Sequence, residues 1–178
     1  GNGQTLTLRS NSLMTIASDI CDMGGGASCL ASPDDAVNLV FDTKTNASNG
    51  HITTGGIEIN SGGGNITFTS DAGLSLGAGA SVIAGAGYIL ATIDDTIALG
   101  DSALISSTSG SIGLTSTLQS ITMASNTALT SASGNINLTA ITTSGEVNVI
   151  NNASVDSGTG KIVITADRVL VSGISSTN

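Results

Sequence analysis

One phrase returns down this chain at a nearly constant interval. Gly-x-Ile stands at Gly64-Asn65-Ile66, Gly87-Tyr88-Ile89, Gly110-Ser111-Ile112, Gly134-Asn135-Ile136 and Gly160-Lys161-Ile162, in steps of 23, 23, 24 and 26 residues. A fixed period of this length is the mark of a repeat architecture. Within each period further apolar residues come in i, i+2 pairs: Leu74/Leu76, Ile97/Leu99, Ile121/Met123, Val147/Val149 and Val169/Val171. A third apolar position follows at Val82, Leu104 or Ile105, Leu129 and Val155. Alternation at period two is the signature of a strand with one face buried. Gly, Ser, Asn and Asp fill the gaps, and these are turn formers. Each period thus encodes three short strands and three turns, then begins again in phase. The arrangement that satisfies this is a coil stacked on the next coil, strand on parallel strand, about 4.8 Å apart.

Composition supports a narrow interior. Aromatic residues are 2% of the 178, and charged residues 10%, against about 25% charged in ordinary domains. Hydrophobic residues still reach 39%, spread evenly in pairs, which low-complexity disorder lacks. The core is therefore a thin aliphatic column. A β-sandwich also uses many short strands, but nothing in it demands a fixed coil length. The expectation is an all-β parallel β-helix, or β-solenoid, of about 23 residues and three short strands per coil, one domain over residues 1–178.

The first third is less regular. Leu6/Leu8, Met14/Ile16, Val37/Leu39/Phe41 and Ile57/Ile59 read as strands. Residues 17–35 break the pattern and read as one loop extruded near the N-terminus, the kind of insertion that often carries function. Gly50-His51-Ile52 is out of phase with the later motifs. The chain opens on GNGQTLTL and closes on VLVSGISSTN, both strand-like. It reads as a piece of a longer protein, with parent coils stacked at both ends.

Net charge is -9, with only Arg9, Lys44, Lys161 and Arg168 as cations. Nucleic acid and anionic membrane surfaces are disfavoured as partners. No apolar run approaches the roughly 20 residues of a membrane span.

Asp71 stands three residues before Leu74, and Asp94 three before Ile97, with Asp95 and Asp101 nearby. At one phase of successive coils the first two carboxylates stack about 5 Å apart. Carboxylates that close repel unless they share a proton or a cation. Asp71, Asp94 and Asp95 are thus candidate ligands for calcium, or an acid/base pair for glycan cleavage, set against the plain reading of solvated turns. Asp19, Asp22, Asp34 and Asp35 form a second acidic group, in the extruded loop. His51 is the only histidine; no Ser-His-Asp arrangement can be proposed around it, so it reads as a surface histidine, and it lies too far along the chain from the two cysteines to complete the four ligands of a zinc site. Tyr88 alternates outward, where its ring can stack on a sugar. A Thr-x-Thr pair at Thr67/Thr69 is not repeated at its phase-mates, which excludes an ice-binding array.

The repeated Gly-x-Ile-x-Leu-x phrase with small-residue spacers, over about residues 50–178, resembles the shafts of large bacterial exoproteins of the filamentous-haemagglutinin-like, two-partner secretion type. The resemblance implies a right-handed β-helix, secretion to the bacterial cell surface, and adhesion or surface structure. It carries over no binding residue. Cys21 and Cys29 would be free thiols in a reducing compartment. In a secreted protein they close a small Gly-rich loop as a disulfide, and the exported reading favours this.

The function expected is a non-catalytic structural or adhesive segment of a secreted β-helical protein. Its expected partners are surface glycans or proteins of another cell. The alternatives are a polysaccharide lyase or hydrolase, and a calcium-dependent carbohydrate-binding module.

Overall fold

A computed structural model describes residues 3–21, 36–44, 49–149 and 151–171. Among these residues there are only strands, and they fall into three parallel sheets. The first sheet holds β1 (Gln4–Arg9), β4 (Val37–Asp42), β7 (Ile66–Ser70), β10 (Ile89–Ile93), β13 (Ile112–Ser116), β16 (Ile136–Ala140) and β19 (Ile162–Thr165). The second holds β2 (Met14–Ile16), β5 (Ile52–Thr54), β8 (Leu74–Leu76), β11 (Ile97–Leu99), β14 (Ile121–Met123), β17 (Glu146–Val149) and β20 (Arg168–Val171). The third holds β3 (Ile20–Cys21), β6 (Glu58–Asn60), β9 (Ser81–Gly85), β12 (Leu104–Ser107), β15 (Ala128–Ser131) and β18 (Ser154–Asp156). The chain visits the three sheets in turn and repeats, so each strand pairs with the strand one coil away. This is a β-solenoid of three strands per coil, with coils about 24 residues apart.

Register is held by the motif. Ile66, Ile89, Ile112, Ile136 and Ile162 are successive partners in the first sheet. Ile52, Leu74, Ile97, Ile121, Val147 and Val169 are partners in the second. The out-of-phase Gly50-His51-Ile52 is thereby explained, because it opens a strand of the second sheet. In the third sheet Ile105, rather than Leu104, takes the inward place, stacked between Val82 and Leu129. The buried residues of the three sheets form one continuous apolar column running from Ile16 to Val155, and Ile162 packs against its end. Phe41 and Phe68 stack inside it with centroids 4.9 Å apart, and Ala91 follows in the same file.

The glycine of the motif has a different cause from the one a turn suggests. Gly87, Gly110, Gly134 and Gly160 are absent from the positive-φ residues. What they lack is room. A Cβ on Gly87, Gly110 or Gly134 would stand 2.1 Å from the carbonyl oxygen of the motif glycine one coil earlier, and on Gly160 2.2 Å. No Cβ tolerates that, so the corner admits only glycine. Buried serines close the same corner. Ser107 Oγ donates to the Gly87 carbonyl at 2.9 Å and accepts the Gly110 N–H at 2.8 Å. Ser131 does the same one coil on, with Gly110 and Gly134, at 3.0 and 2.9 Å. Polar groups at a buried corner must be paired in this way.

Within the loop expected over 17–35, Ile20–Cys21 is instead a strand of the first coil. The first coil completes itself with β3, in which Ile20 and Cys21 pair with Ile59 and Asn60. Residues 22–35, with Asp22, Cys29, Asp34 and Asp35, lie outside the described residues. Cys21 is not a free thiol.

Candidate functional site

With the inner face committed to packing, function falls to the outer faces. On the outer face of the first sheet three files of side chains run along the solenoid. The first file caps backbone. Asn65 N–H donates to Asn38 Oδ1 at 2.9 Å, and Tyr88 N–H to Asn65 Oδ1 at 3.1 Å. Asn135 N–H donates to Ser111 Oγ at 3.3 Å, and Lys161 N–H to Asn135 Oδ1 at 2.9 Å. Each short polar side chain thus accepts the N–H one coil further on. Tyr88 breaks the series, because a phenol ring brings no amide oxygen to the Ser111 N–H.

The second file is irregular: Val40, Thr67, Leu90, Gly113, Asn137 and Val163. The third is nearly uniform: Asp42, then Thr69, Thr92, Thr115, Thr139 and Thr165. β-branched threonine suits a half-exposed strand. Paired threonines in the second and third files occur together only at Thr67/Thr69, so no flat double array forms.

One coil therefore differs from its neighbours. Tyr88 is 45% exposed and Leu90 40%. Above Leu90 stands Gly113, whose missing side chain leaves the space that Leu90 Cδ1 occupies; a Cβ there would lie 3.0 Å from it. Together with Asn65, Ser109, Ser111 and Asn137 these residues line an open hollow of about 550 Å³. Tyr88 was visible in the sequence as an outward aromatic. Leu90, Gly113 and Asn137 join it only through the coil-to-coil register. Reading down the outward files once the Gly-x-Ile motifs are aligned would have found them.

Asp71 sits in the turn after β7, Asp94 and Asp95 in the turn after β10, and Asp101 after β11. Asp71 Oδ1 accepts the Gly50 N–H at 2.8 Å. Asp94 Oδ1 pairs with Lys44 Nζ at 3.0 Å and accepts the Thr117 hydroxyl at 3.1 Å. Asp95 Oδ1 caps the Thr96 N–H at 2.8 Å, and Asp101 Oδ1 accepts the Ser125 N–H at 3.1 Å. Lys44 thus brings a positive charge to Asp94. The residue stacked on Asp94 is Thr117. Counting back from Ile121 misplaces it by one, because this turn is one residue longer; Leu118 is 61% exposed. Among the described residues no three His, Cys, Asp or Glu side chains gather where they could hold a metal ion. Of the other cations, Arg9 pairs with Asp42 at 3.0 Å and Arg168 with Glu146, each across one coil step. His51 lies beside Gly73, with Cε1 2.4 Å from where a Cβ there would stand, so it packs in a turn.

The fold defines the class, a β-solenoid repeat protein. Beyond that, the chain matches no family model, no curated protein and no solved structure. The likeness to filamentous-haemagglutinin-like shafts accordingly rests on the coil architecture alone. Among the described residues no helix is long and apolar enough to cross a membrane.

Proposed function

We propose that this chain is a stiff, non-catalytic segment of a secreted or cell-surface bacterial exoprotein, a shaft that also makes contact with another cell. The observation that carries the reading is the unbroken in-register stacking of two seven-stranded parallel sheets about one apolar column. Each coil touches only its neighbours and adds about 4.8 Å of length. Such an object resists bending and presents long outer faces, which suits spacing and contact. The carboxylates best placed for chemistry, Asp71 and Asp94, are instead engaged by Gly50, Lys44 and Thr117, which suits turn closure better than proton transfer.

The test is a glycan array probed with the intact chain, once with calcium and once with chelator. Binding in both buffers is the expected result and supports contact through the outer face. Binding lost in chelator would replace this reading with a calcium-dependent recognition module. Release of reducing ends from a polysaccharide panel, abolished by Asp94→Asn, would overturn the non-catalytic reading.

A further inference from the structure

We infer that the hollow around Tyr88, Leu90 and Gly113 is a subsite for a neutral glycan. The inference rests on the contact role proposed above and gives it a place and a ligand class.

Three observations converge on it. The first is geometric. At about 550 Å³ the hollow falls within the range of small-ligand sites, and it spans the coils from Asn65 to Asn137. The second is chemical. A phenol ring and an isobutyl group, 45% and 40% exposed, stand two residues apart at the start of β10, with Asn65, Ser109, Ser111 and Asn137 around them. A pyranose has one apolar C–H face and a hydroxyl rim, and an aromatic ring beside amides matches both. The Asn65 oxygen is committed to the Tyr88 N–H, so its amide group is left to donate, while Asn137 is exposed and both donates and accepts. Ser109 and Ser111 add hydroxyls at the rim. The third is charge. No Asp, Glu, Lys, Arg or His lines the hollow, in a chain of net charge -9. A uronate or sulfated glycan would meet repulsion with no compensating cation. A neutral one would meet none.

The break in the capping file sharpens the case. Asn or Ser at position 88 would continue the backbone capping seen on either side. Tyr gives that up and brings a ring to the surface.

The chain has one Tyr and no Trp, so its intrinsic emission reports on position 88 alone. Titration with neutral oligomers of glucose, mannose, galactose and N-acetylglucosamine should change that emission saturably for at least one of them. Oligogalacturonate should leave it unchanged. By calorimetry, Tyr88→Asn should weaken the binding at least about tenfold, and Gly113→Val, which fills the hollow from the next coil, by a similar factor. Both variants should keep the wild-type circular dichroism. Tyr88→Phe, which keeps the ring, should bind within about threefold of wild type. No saturable change with any neutral oligomer, stronger binding of oligogalacturonate, or equal binding by Tyr88→Asn would each overturn the inference. So would emission that changes with protein concentration alone, which would make the hollow a contact between copies. Array binding retained by Tyr88→Asn would remove the hollow while leaving the contact role standing; no array binding by the wild type would remove both.

Discussion

The two faces of the first sheet obey different rules. Inside, the file begins with Leu39 and then holds Ile at every coil, through Ile66, Ile89, Ile112, Ile136 and Ile162. Outside, one position earlier, the series runs Asn65, Tyr88, Ser111, Asn135, Lys161. An inward side chain meets the coil above, the coil below and the two other sheets, and interiors are close-packed. An outward side chain meets only its file neighbours and water. The inner face therefore specifies the solenoid, and the outer face is free to differ one coil at a time. The comparison can be attacked from either side.

The largest effect should come from a charge on the inner face. Ile112 is fully buried between Ile89 and Ile136. Ile112→Asp would place an unpaired carboxylate in a dry aliphatic column, at a cost on the order of 4 kcal/mol or more. Thr115→Asp, three residues on and facing out, should cost less than about 1 kcal/mol. Urea unfolding of both variants measures the difference. Equal tolerance would mean that the two faces have been assigned wrongly.

A smaller effect separates two reasons for the motif glycine. If the corner had room for a Cβ, Gly110→Ala would stabilise by roughly 0.4–1 kcal/mol, because φ there is not positive and the unfolded chain would lose entropy. If crowding is the reason, the new Cβ at 2.1 Å from the Gly87 oxygen must push two coils apart, costing roughly 1–3 kcal/mol. The structure predicts the second sign. Gly113→Ala, in the same strand but facing out, meets only the end of Leu90 and should change stability by no more than about 0.5 kcal/mol.

These contrasts also explain what could be read from the sequence. The coil period, the three strands per coil and most core residues were legible because the inner face repeats every coil, and repetition makes a weak local signal strong. β3 was not legible, since Ile20–Cys21 is a two-residue strand with a single aliphatic member and an acidic, Gly-rich run behind it. The reason for the motif glycines was not legible either, because a clash with the next coil is a contact between residues 23 or more apart. The place of Thr117 over Asp94 was not legible by counting back from Ile121, because that turn carries one added residue. The candidate site was half legible. Tyr88 stands out in a chain with no other tyrosine, but its partners are defined only by register.

The smallest effect is the most informative about the outer face. Tyr88→Asn puts an amide where the capping file lacks one, with its oxygen in reach of the Ser111 N–H as Asn65 Oδ1 is of the Tyr88 N–H. One added hydrogen bond is worth about 1 kcal/mol at most here, and the exposed ring gives up little on leaving. Thermal unfolding should therefore show a Tm equal to or slightly above wild type. A residue whose removal leaves the fold unharmed, on a face where the regular choice caps backbone, is not there for the fold. A loss of more than about 1 kcal/mol would reverse that argument, because the ring would then be packing against Leu90 as part of the structure, and the hollow would be no more than the gap beside it.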